Sequence, residues 1–330
     1  MSIAVTPLDA QAPATDARRR AILALGRAEA RRNLRSPWLL VVVAYTLLTS
    51  VRVQAFDWAG ASYSMLALQA VPLAALASFQ GLRVAGRDRQ ADLPPLAEEA
   101  PLGEVERVLG RLIGLGAYVA LAVVGVVVAE VAARVEGGYW LGEGFNKTET
   151  AQHAPIEWLV PPAAVAAAAA AGLALGRRFQ YRIVVGIAAG VFWFLMWGGW
   201  WAFQFTPMVA VTLAPTQPMF VDAGPGELGF ADFPEDWKVL PPDQYNDRWT
   251  RQVVSQPFVA AHVVYLVGLT VLFTSVALRL RAAGVEGTRG PLSTSLRRIG
   301  WATVAAGLLL QLWVLDWNLT PGGTGLNQAP

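Results

Sequence analysis

Long apolar runs separated by short charged segments make up most of the chain. Runs of about 20 Leu, Val, Ala and aromatic residues recur, and about 20 such residues in a helix cross the roughly 30 Å hydrocarbon core of a bilayer. We therefore predict an all-α fold, a polytopic transmembrane helical bundle of six to seven spans. The predicted spans are 37–51, 63–82, 112–133, 158–176, 183–203, 258–280 and 299–317.

An amphipathic helix is predicted at 18–35, ahead of span one. At 100° per residue one arc of this helix is apolar and another is basic. The apolar arc holds Ile22, Leu23, Gly26, Ala30 and Leu34. The basic arc holds Arg27, Arg31, Arg32 and Arg35. This pattern favours a helix lying in the membrane interface, with its arginines anchored to anionic headgroups. The alternative is a basic flank that only sets topology.

The positions of the basic residues predict the orientation. With the N-terminus inside, 20 of the 26 Lys and Arg residues fall in cytoplasmic segments, the side on which basic residues accumulate. We therefore predict a bundle whose N-terminus is cytoplasmic and whose C-terminus is external. Residues 1–17 are predicted to be a disordered cytosolic tail, 36–317 the transmembrane domain and 318–330 a flexible tail.

Two of the predicted connections are long. The cytoplasmic loop 83–111 is densely charged, and the outer loop 206–255 is acidic and proline-rich, with an apolar first part, Met208 to Phe220, that can re-enter the interface. The outer segment 135–155 is predicted to hold a short helix or turn. Glu130, one turn before Arg134, is a candidate ion-pair partner for it.

Span four consists largely of small residues. Ala164 to Ala171 is interrupted only by Val165, and Gly172 and Gly176 extend the same composition. Small side chains allow helices to approach closely in lipid. Span five instead ends in four tryptophans, a pattern more typical of anchors at the interface than of substrate binders. They are Trp193, Trp197, Trp200 and Trp201.

The composition supports a membrane protein and excludes several kinds of site. Charged residues make up 15% of the chain, against roughly 25% in soluble domains. No cysteine is present, which excludes thiolate chemistry and Cys-ligated metals. The two histidines, His153 and His262, have no metal-ligand spacing. A net charge of +2 gives no reason to expect a nucleic acid partner.

Neither an ATPase nor another catalytic site is predicted in this chain. A P-loop needs a lysine near the phosphates, whereas Lys147 and Lys238 both fall in predicted outer loops and no such motif occurs. Glu98-Glu99 is reminiscent of intramembrane CAAX-type proteases, but the accompanying histidine motifs are missing. An intramembrane enzyme stays an alternative, with only Glu130, His262 and scattered glutamines as polar candidates inside the spans.

Four short motifs occur in sequence along the charged loop. They are Arg87-Asp88-Arg89, Leu93 with Leu96, Ala100-Pro101-Leu102-Gly103, and Leu109-Gly110-Arg111. Together with the N-terminal amphipathic helix and the large loop between spans five and six, this order resembles the permease of an ABC-2-type (type V exporter-like) transporter. The resemblance extends from about Ala21 to Arg281, and the closing span His262 to Arg281 is also similar.

The resemblance implies that this chain is the membrane-spanning subunit of an exporter in the bacterial inner membrane. ATP and Mg would bind to a separate ATPase subunit, and the permease would work as a homodimer or paired permease on a lipid, peptide or drug-like substrate. Met208 and Phe220 would belong to an outer gate. The coupling residues would be Arg87, Asp88, Leu93, Leu96, Glu98, Glu99, Pro101, Leu102, Gly103 and Arg111.

The physical chemistry of the loop fits such coupling. A coupling helix within Leu93 to Arg107, punctuated by prolines, would present one acidic surface to a complementary patch on a soluble partner. That surface would comprise Glu98, Glu99, Glu104 and Glu106. Two alternatives remain: the loop only connects spans, or the chain is a non-transporting assembly or structural subunit. A seventh span and an outer tail depart from the family, whose members commonly end inside after span six.

Overall fold

The computed structural model describes residues 15–51, 66, 70–86, 102–144, 147–151, 153–179, 182–198, 219–222, 237–242, 250–279 and 291–317. Within these residues the chain is mostly helical, as predicted. The helices are α1 (Thr15–Leu34), α2 (Pro37–Val51), α3 (Ala70–Ala85), α4 (Glu104–Val135), α5 (Val160–Arg178), α6 (Arg182–Gly198), α7 (Gln256–Ala277) and α8 (Pro291–Trp317). A 3₁₀ turn, Glu157–Leu159, leads into α5. The strands are β1 (Tyr139–Gly144), β2 (Lys147–Ala151), β3 (Met219–Asp222), β4 (Trp237–Pro242) and β5 (Thr250–Ser255).

Three of the described helices are long and apolar enough to cross a membrane: α4, α5 with its 3₁₀ turn, and α7. Shorter apolar helices lie at 37–48, 70–85 and 183–195. A 15-residue helix reaches only about 22 Å, less than the roughly 30 Å hydrocarbon core. Because residues 52–65 and 199–203 lie outside the described part, the full count of six or seven spans stays a prediction.

The described strands form two small antiparallel sheets that the sequence did not predict. β1 pairs with β2, and β5 lies between β3 and β4. The turn predicted within 135–155 is present at residues 136 and 137, whereas the segment after it forms β1 and β2, which the sequence did not predict. That segment is rich in Tyr, Trp and Thr, which favour the extended conformation. Gly137 and Gly138, at φ values of 87° and 122°, end α4 and turn the chain into β1.

Small residues let α3 and α5 pack closely against each other. The composition of span four predicted such a close approach but did not identify α3 as the partner. A Cβ added to Gly81 would lie 2.7 Å from the backbone nitrogen of Leu173, and one on Gly176 would lie 2.7 Å from Cβ of Ala85. A Cβ on Gly172 would overlap the carbonyl oxygen of Ser78. The core on either side of this contact is formed by buried side chains of α3, α4 and α5.

Helices α7 and α8 form an antiparallel hairpin with three close glycine contacts. Gly268 meets Val304, Gly300 meets Leu272, and Gly307 meets Tyr265, each with backbone atoms within 3 Å of where a Cβ would stand. The order of these pairs shows that the helices run in opposite directions. The other side of α7 packs on α5.

The two N-terminal helices lie one after the other along α4. Contacts pair Arg18 with Glu106, Gly26 with Gly110, and Thr46 with Gly125. Since the numbers rise together on both sides, α1 and α2 run side by side with α4 and in the same direction. The helix predicted at 18–35 is present, and its arginines Arg27, Arg31, Arg32 and Arg35 are exposed.

The face that α1 turns toward α4 differs from the apolar arc deduced from its sequence. Gly26, Glu29 and Asn33 are buried, whereas Leu23 and Leu34 are 37% and 46% exposed. Packing against α4 therefore selects a small and polar face, because Gly110 and Gly114 bring the two backbones close together there. Whether α1 lies in a membrane interface stays a prediction.

Candidate coupling site at the start of the long helix

Of the residues predicted to couple to a partner, the structure describes Leu102, Gly103 and Arg111. Leu102 and Gly103 lead into α4, and Arg111 is in its third turn. The other predicted coupling residues lie outside the described part. They are Arg87, Asp88, Leu93, Leu96, Glu98, Glu99 and Pro101.

The start of α4 is held by its own side chains. Gly103 is the extended residue before the helix, and its carbonyl accepts a hydrogen bond from the backbone N–H of Arg107 at 3.0 Å. The guanidinium of Arg107 donates to the carbonyl of Leu102 at 2.8 Å. Glu104 and Glu106 stand in the first turn, where the helix dipole favours negative charge. The chain thus enters α4 in a fixed direction.

Both of these glutamates have partners within the chain. Glu104 accepts a hydrogen bond from Nη2 of Arg177, in the last turn of α5, and Glu106 pairs with Arg18 of α1 at 3.3 Å. The side chains of Glu104 and Glu106 are 25% and 18% exposed. The interpretation of all four loop glutamates as one free acidic surface therefore needs correcting for these two. The sequence does not reveal these pairings because the partners lie on distant helices.

Arg111 is also less accessible than its predicted role suggests. Its exposure is 6%, which places it inside the bundle rather than on the surface of α4. Arg177, which no motif had indicated, is buried to the same degree at 8%. The sequence did contain one indication of the Glu104–Arg177 pair. It places an acidic residue in the first turn of one helix and a basic residue in the last turn of another.

A buried polar junction lies where α1 passes into α2. The phenol of Tyr118 donates to the carbonyl of Asn33 at 3.4 Å, and the amide of Asn33 donates to the carbonyl of Gly114 at 3.3 Å. The amide of Gln80 donates to the hydroxyl of Ser36 at 3.3 Å. These bonds attach the short non-helical junction between α1 and α2, just before Pro37, to α4 and α3. The sequence analysis did not predict these attachments.

A second buried polar contact lies at the opposite end of α4. Nδ1 of His153 donates to Oε1 of Glu130 at 2.7 Å, and both residues are 6% exposed. The structure thus brings Glu130 to His153, whereas the guanidinium of Arg134, its predicted partner, lies 5.8 Å from the ring centroid of Trp158. Glu130 and His153 are 23 positions apart in the sequence, so local patterns could not reveal the contact.

A third polar contact closes the hairpin of α7 and α8. Nδ1 of His262 donates to the amide oxygen of Gln311 at 2.8 Å, and the amide nitrogen of Gln311 donates to the carbonyl of Gly307 at 3.2 Å. Both side chains are completely buried. His262, which the sequence analysis considered as a metal ligand and as a catalytic candidate, thus links two apolar helices.

An apolar groove of about 370 Å³ lies between α2, α3 and α6. Its wall includes Val41 and Tyr45 of α2, Pro72 of α3, and Trp193 and Phe194 of α6. Trp193, predicted as an interfacial anchor, is only 6% exposed and packs edge-on against Phe192. Trp200 and Trp201 lie outside the described residues.

The predicted outer gate is described only in part. Phe220 lies in β3, where it pairs with Gln252 of β5, whereas Met208 lies outside the described residues. Among the side chains that the structure describes, no group of three or more His, Asp and Glu residues is arranged to hold a metal ion. No protein-family model matches the chain, and no curated protein matches it either.

Proposed function

We propose that the chain is the membrane-spanning permease subunit of an ABC exporter, driven by ATP hydrolysis in a separate subunit. The observation that supports this best is the construction of α4. Its 32 residues extend about 48 Å, roughly 18 Å more than a hydrocarbon core requires. The helix that follows the charged loop is therefore long enough to project from the membrane and carry force into it.

The attachments at the start of α4 support the same function. Glu104 connects it to α5, Glu106 connects it to α1, and Tyr118 connects it to the α1–α2 junction. A displacement of the loop 83–111 by a nucleotide-binding partner would therefore act on four helices together. Movement of one rigid group of helices against another is a recognised way to alternate between two states.

The groove between α2, α3 and α6 suits a paired permease. Large apolar side chains remain exposed on α2 and α6, among them Leu40 at 72%, Leu48 at 61% and Ile183 at 79%. A second permease copy or lipid would cover them, and a path between two copies would have an apolar wall suited to lipid, peptide or drug-like substrates. Near the α1–α2 junction, Arg32 and Arg35 would anchor to anionic headgroups.

Co-purification in mild detergent tests the proposal. Recovery of a stoichiometric subunit with a P-loop and ATPase activity is expected from the tagged wild-type chain. Recovery should fall when Glu98 and Glu99 are changed to Gln, or Pro101, Leu102 and Gly103 to Ser, Gln and Asn. The matched control is a change of Arg298, exposed near the start of α8, to Gln.

The outcomes separate the candidate functions. A partner ATPase whose activity responds to added substrate supports an exporter. A partner whose activity responds to no substrate supports an assembly subunit. A wild-type chain that purifies alone, or with partners lacking a P-loop, contradicts the permease proposal and favours the assembly or intramembrane-enzyme alternatives.

A further inference from the structure

We infer that the groove between α2, α3 and α6 holds one acyl chain of a resident anionic phospholipid, whose phosphate binds to Arg35 and Arg83. The groove has a volume of about 370 Å³, within the range of small-molecule sites. Trp193 and Phe194 of α6 form one of its walls, and its lining is aliphatic and aromatic. The inference concerns a lipid that stays bound to the chain, and it does not depend on an ATPase partner.

One face of α3 leads from the groove to Arg83. Pro72 and Ala75 line the groove, and Phe79 and Arg83 follow on the same helix. At 100° per residue these four positions lie within about 80° of one another. Phe79 is 37% exposed, and Arg83 is exposed as well. A molecule lying along this face would therefore pass from an apolar groove to a guanidinium.

Helix α2 offers the same arrangement in the opposite direction. The exposed Arg35 stands just before α2, and Val41, further along that helix, lines the groove. The hydroxyl of Ser36 accepts a hydrogen bond from the amide of Gln80 at 3.3 Å, which brings the start of α2 level with the last part of α3. Because Arg83 follows Gln80 by less than one turn, Arg35 and Arg83 lie at the same end of the groove, level to within about one helical turn.

The depth of the groove matches one leaflet of a bilayer. Ala75 and Pro72 precede Arg83 by eight and eleven residues, which correspond to about 12 and 17 Å along α3. Tyr45 follows Arg35 by ten residues, which correspond to about 15 Å. Half of the roughly 30 Å hydrocarbon core is also about 15 Å. With both guanidiniums at the level of the headgroups, the groove lies at the depth of the acyl chains of that leaflet.

Trp38 marks the same level independently. Its side chain is 68% exposed, one turn after Arg35, and exposed tryptophans concentrate at the interface between membrane and water. Val41, one turn further, is purely apolar and 60% exposed. The exposed side of α2 thus changes from basic to amphipathic to apolar within about two turns. That is the order met on passing from headgroups to acyl chains.

The charges favour a lipid as the occupant of the groove. Helices α2, α3 and α6 contain no Asp or Glu that could neutralise the two arginines. A second copy inserted into the groove, related by an axis along the membrane normal, would bring Arg35 and Arg83 of both copies together, whereas a phosphate accepts charge-assisted hydrogen bonds from them. A paired permease would then meet on apolar side chains outside the groove, such as Leu40 and Ile183.

The test counts the lipid molecules held by the purified full-length chain. The delipidated protein in detergent is titrated with dioleoylphosphatidylglycerol, and native mass spectrometry gives the number bound per chain. We expect wild type to bind one molecule about tenfold more tightly than it binds dioleoylphosphatidylcholine. R35Q/R83Q should bind phosphatidylglycerol about tenfold more weakly than wild type, because the phosphate loses its charged donors. R297Q/R298Q, the same change of charge at the start of α8, should bind as wild type does.

The acyl chain is tested by filling the groove. Ala75→Trp leaves the charge unchanged and should weaken binding of phosphatidylglycerol as strongly as R35Q/R83Q does. Equal melting temperatures of the lipid-free variants and wild type would show that the bundle is intact. If either variant unfolds, Arg83→Gln replaces the double change, and Val41→Trp fills the groove from its other wall.

Four outcomes would overturn the inference. The first is wild-type affinity for phosphatidylglycerol in the intact arginine variant or in the intact groove variant. The second is equal binding of the two lipids by wild type, which would indicate lipid held without recognition of its headgroup. The third is inorganic phosphate raising the melting temperature of wild type as far as phosphatidylglycerol does, which would indicate an anion site without an acyl chain. The fourth is a disulfide-linked dimer of Val41→Cys in membranes, which would place a second copy at the groove. None of these results bears on an ATPase partner, so the permease proposal is tested separately.

Discussion

The carboxylate of Glu104, in the first turn of α4, accepts a hydrogen bond from the guanidinium of Arg177, in the last turn of α5, 73 residues further along the chain. The contact joins two antiparallel helices at the end where the charged loop enters the bundle. Arg177 is 9% exposed at its side chain, so the pair is shielded from salt and water on the Arg177 side. It fixes the position at which α4 begins.

Arg177→Met should destabilise the folded bundle by about 1–3 kcal/mol. The change leaves Glu104 without its partner, but that side chain keeps 25% exposure, so the loss should be smaller than the roughly 3–5 kcal/mol typical of a fully buried pair. Thermal unfolding in detergent measures it. The control Arg298→Met removes an exposed arginine and should leave the midpoint unchanged. Equal midpoints for Arg177→Met and wild type would show that the pair contributes no stability.

Gly172→Ala should disrupt the packing of α3 against α5. The added methyl group would overlap the carbonyl oxygen of Ser78, and a backbone atom cannot rotate away as a side chain can. Overpacking of this kind costs about 1–3 kcal/mol. The matched control is Gly186→Ala in α6, where nothing lies within 4 Å of the new methyl group. We expect a lower melting temperature for the first variant and an unchanged or higher one for the control; the reverse order would contradict the close α3–α5 contact.

Removing either partner of the His262–Gln311 hydrogen bond should loosen the α7–α8 hairpin. His262→Leu leaves the amide of Gln311 buried without that bond, and Gln311→Leu does the same to the imidazole. Each single change should cost about 1–2 kcal/mol, whereas the double change should cost less than the sum of the two. A double-mutant cycle of unfolding free energies measures the coupling. Strictly additive losses would mean that the 2.8 Å contact contributes nothing.

The sequence predicted the helices well and their contacts poorly. Hydrophobic runs placed α2, α5 and α7 within a few residues, because crossing a bilayer requires a long apolar run. Helix α8 begins at Pro291, eight residues before the predicted start at 299. The small residues of α5 predicted that some helix would approach it closely, but they did not identify α3 as that helix. The partner of Glu130 was not predictable either, since Arg134 is one turn away and His153 lies far along the chain. The fold selected His153 because a turn of backbone outside the helices brings it back to α4.

The same limit applies to the candidate coupling site. Charge and proline placement identified the loop 83–111, but they could not show that Glu104 and Glu106 are used inside the chain. Nor could periodicity show which face of α1 is buried. Gly110 and Gly114 of α4 leave room for the small and polar face of α1 and bring the two backbones close together. Which face of α1 is buried therefore depends on its partner helix, and the sequence of α1 alone does not identify that helix.

The orientation of the bundle can be measured directly, because the chain contains no cysteine. Single cysteines at Lys147, in β2, and at Ser295, exposed near the start of α8, lie at opposite ends of the predicted topology. In intact cells a membrane-impermeant maleimide should label Lys147→Cys and spare Ser295→Cys until the membrane is permeabilised. The cysteine-free wild type provides the background. The reason is the distribution of arginines, which are retained on the cytoplasmic side. Labelling of Ser295→Cys in intact cells, with Lys147→Cys protected, would show that the bundle is inverted and that the loop 83–111 is out of reach of any cytoplasmic ATPase.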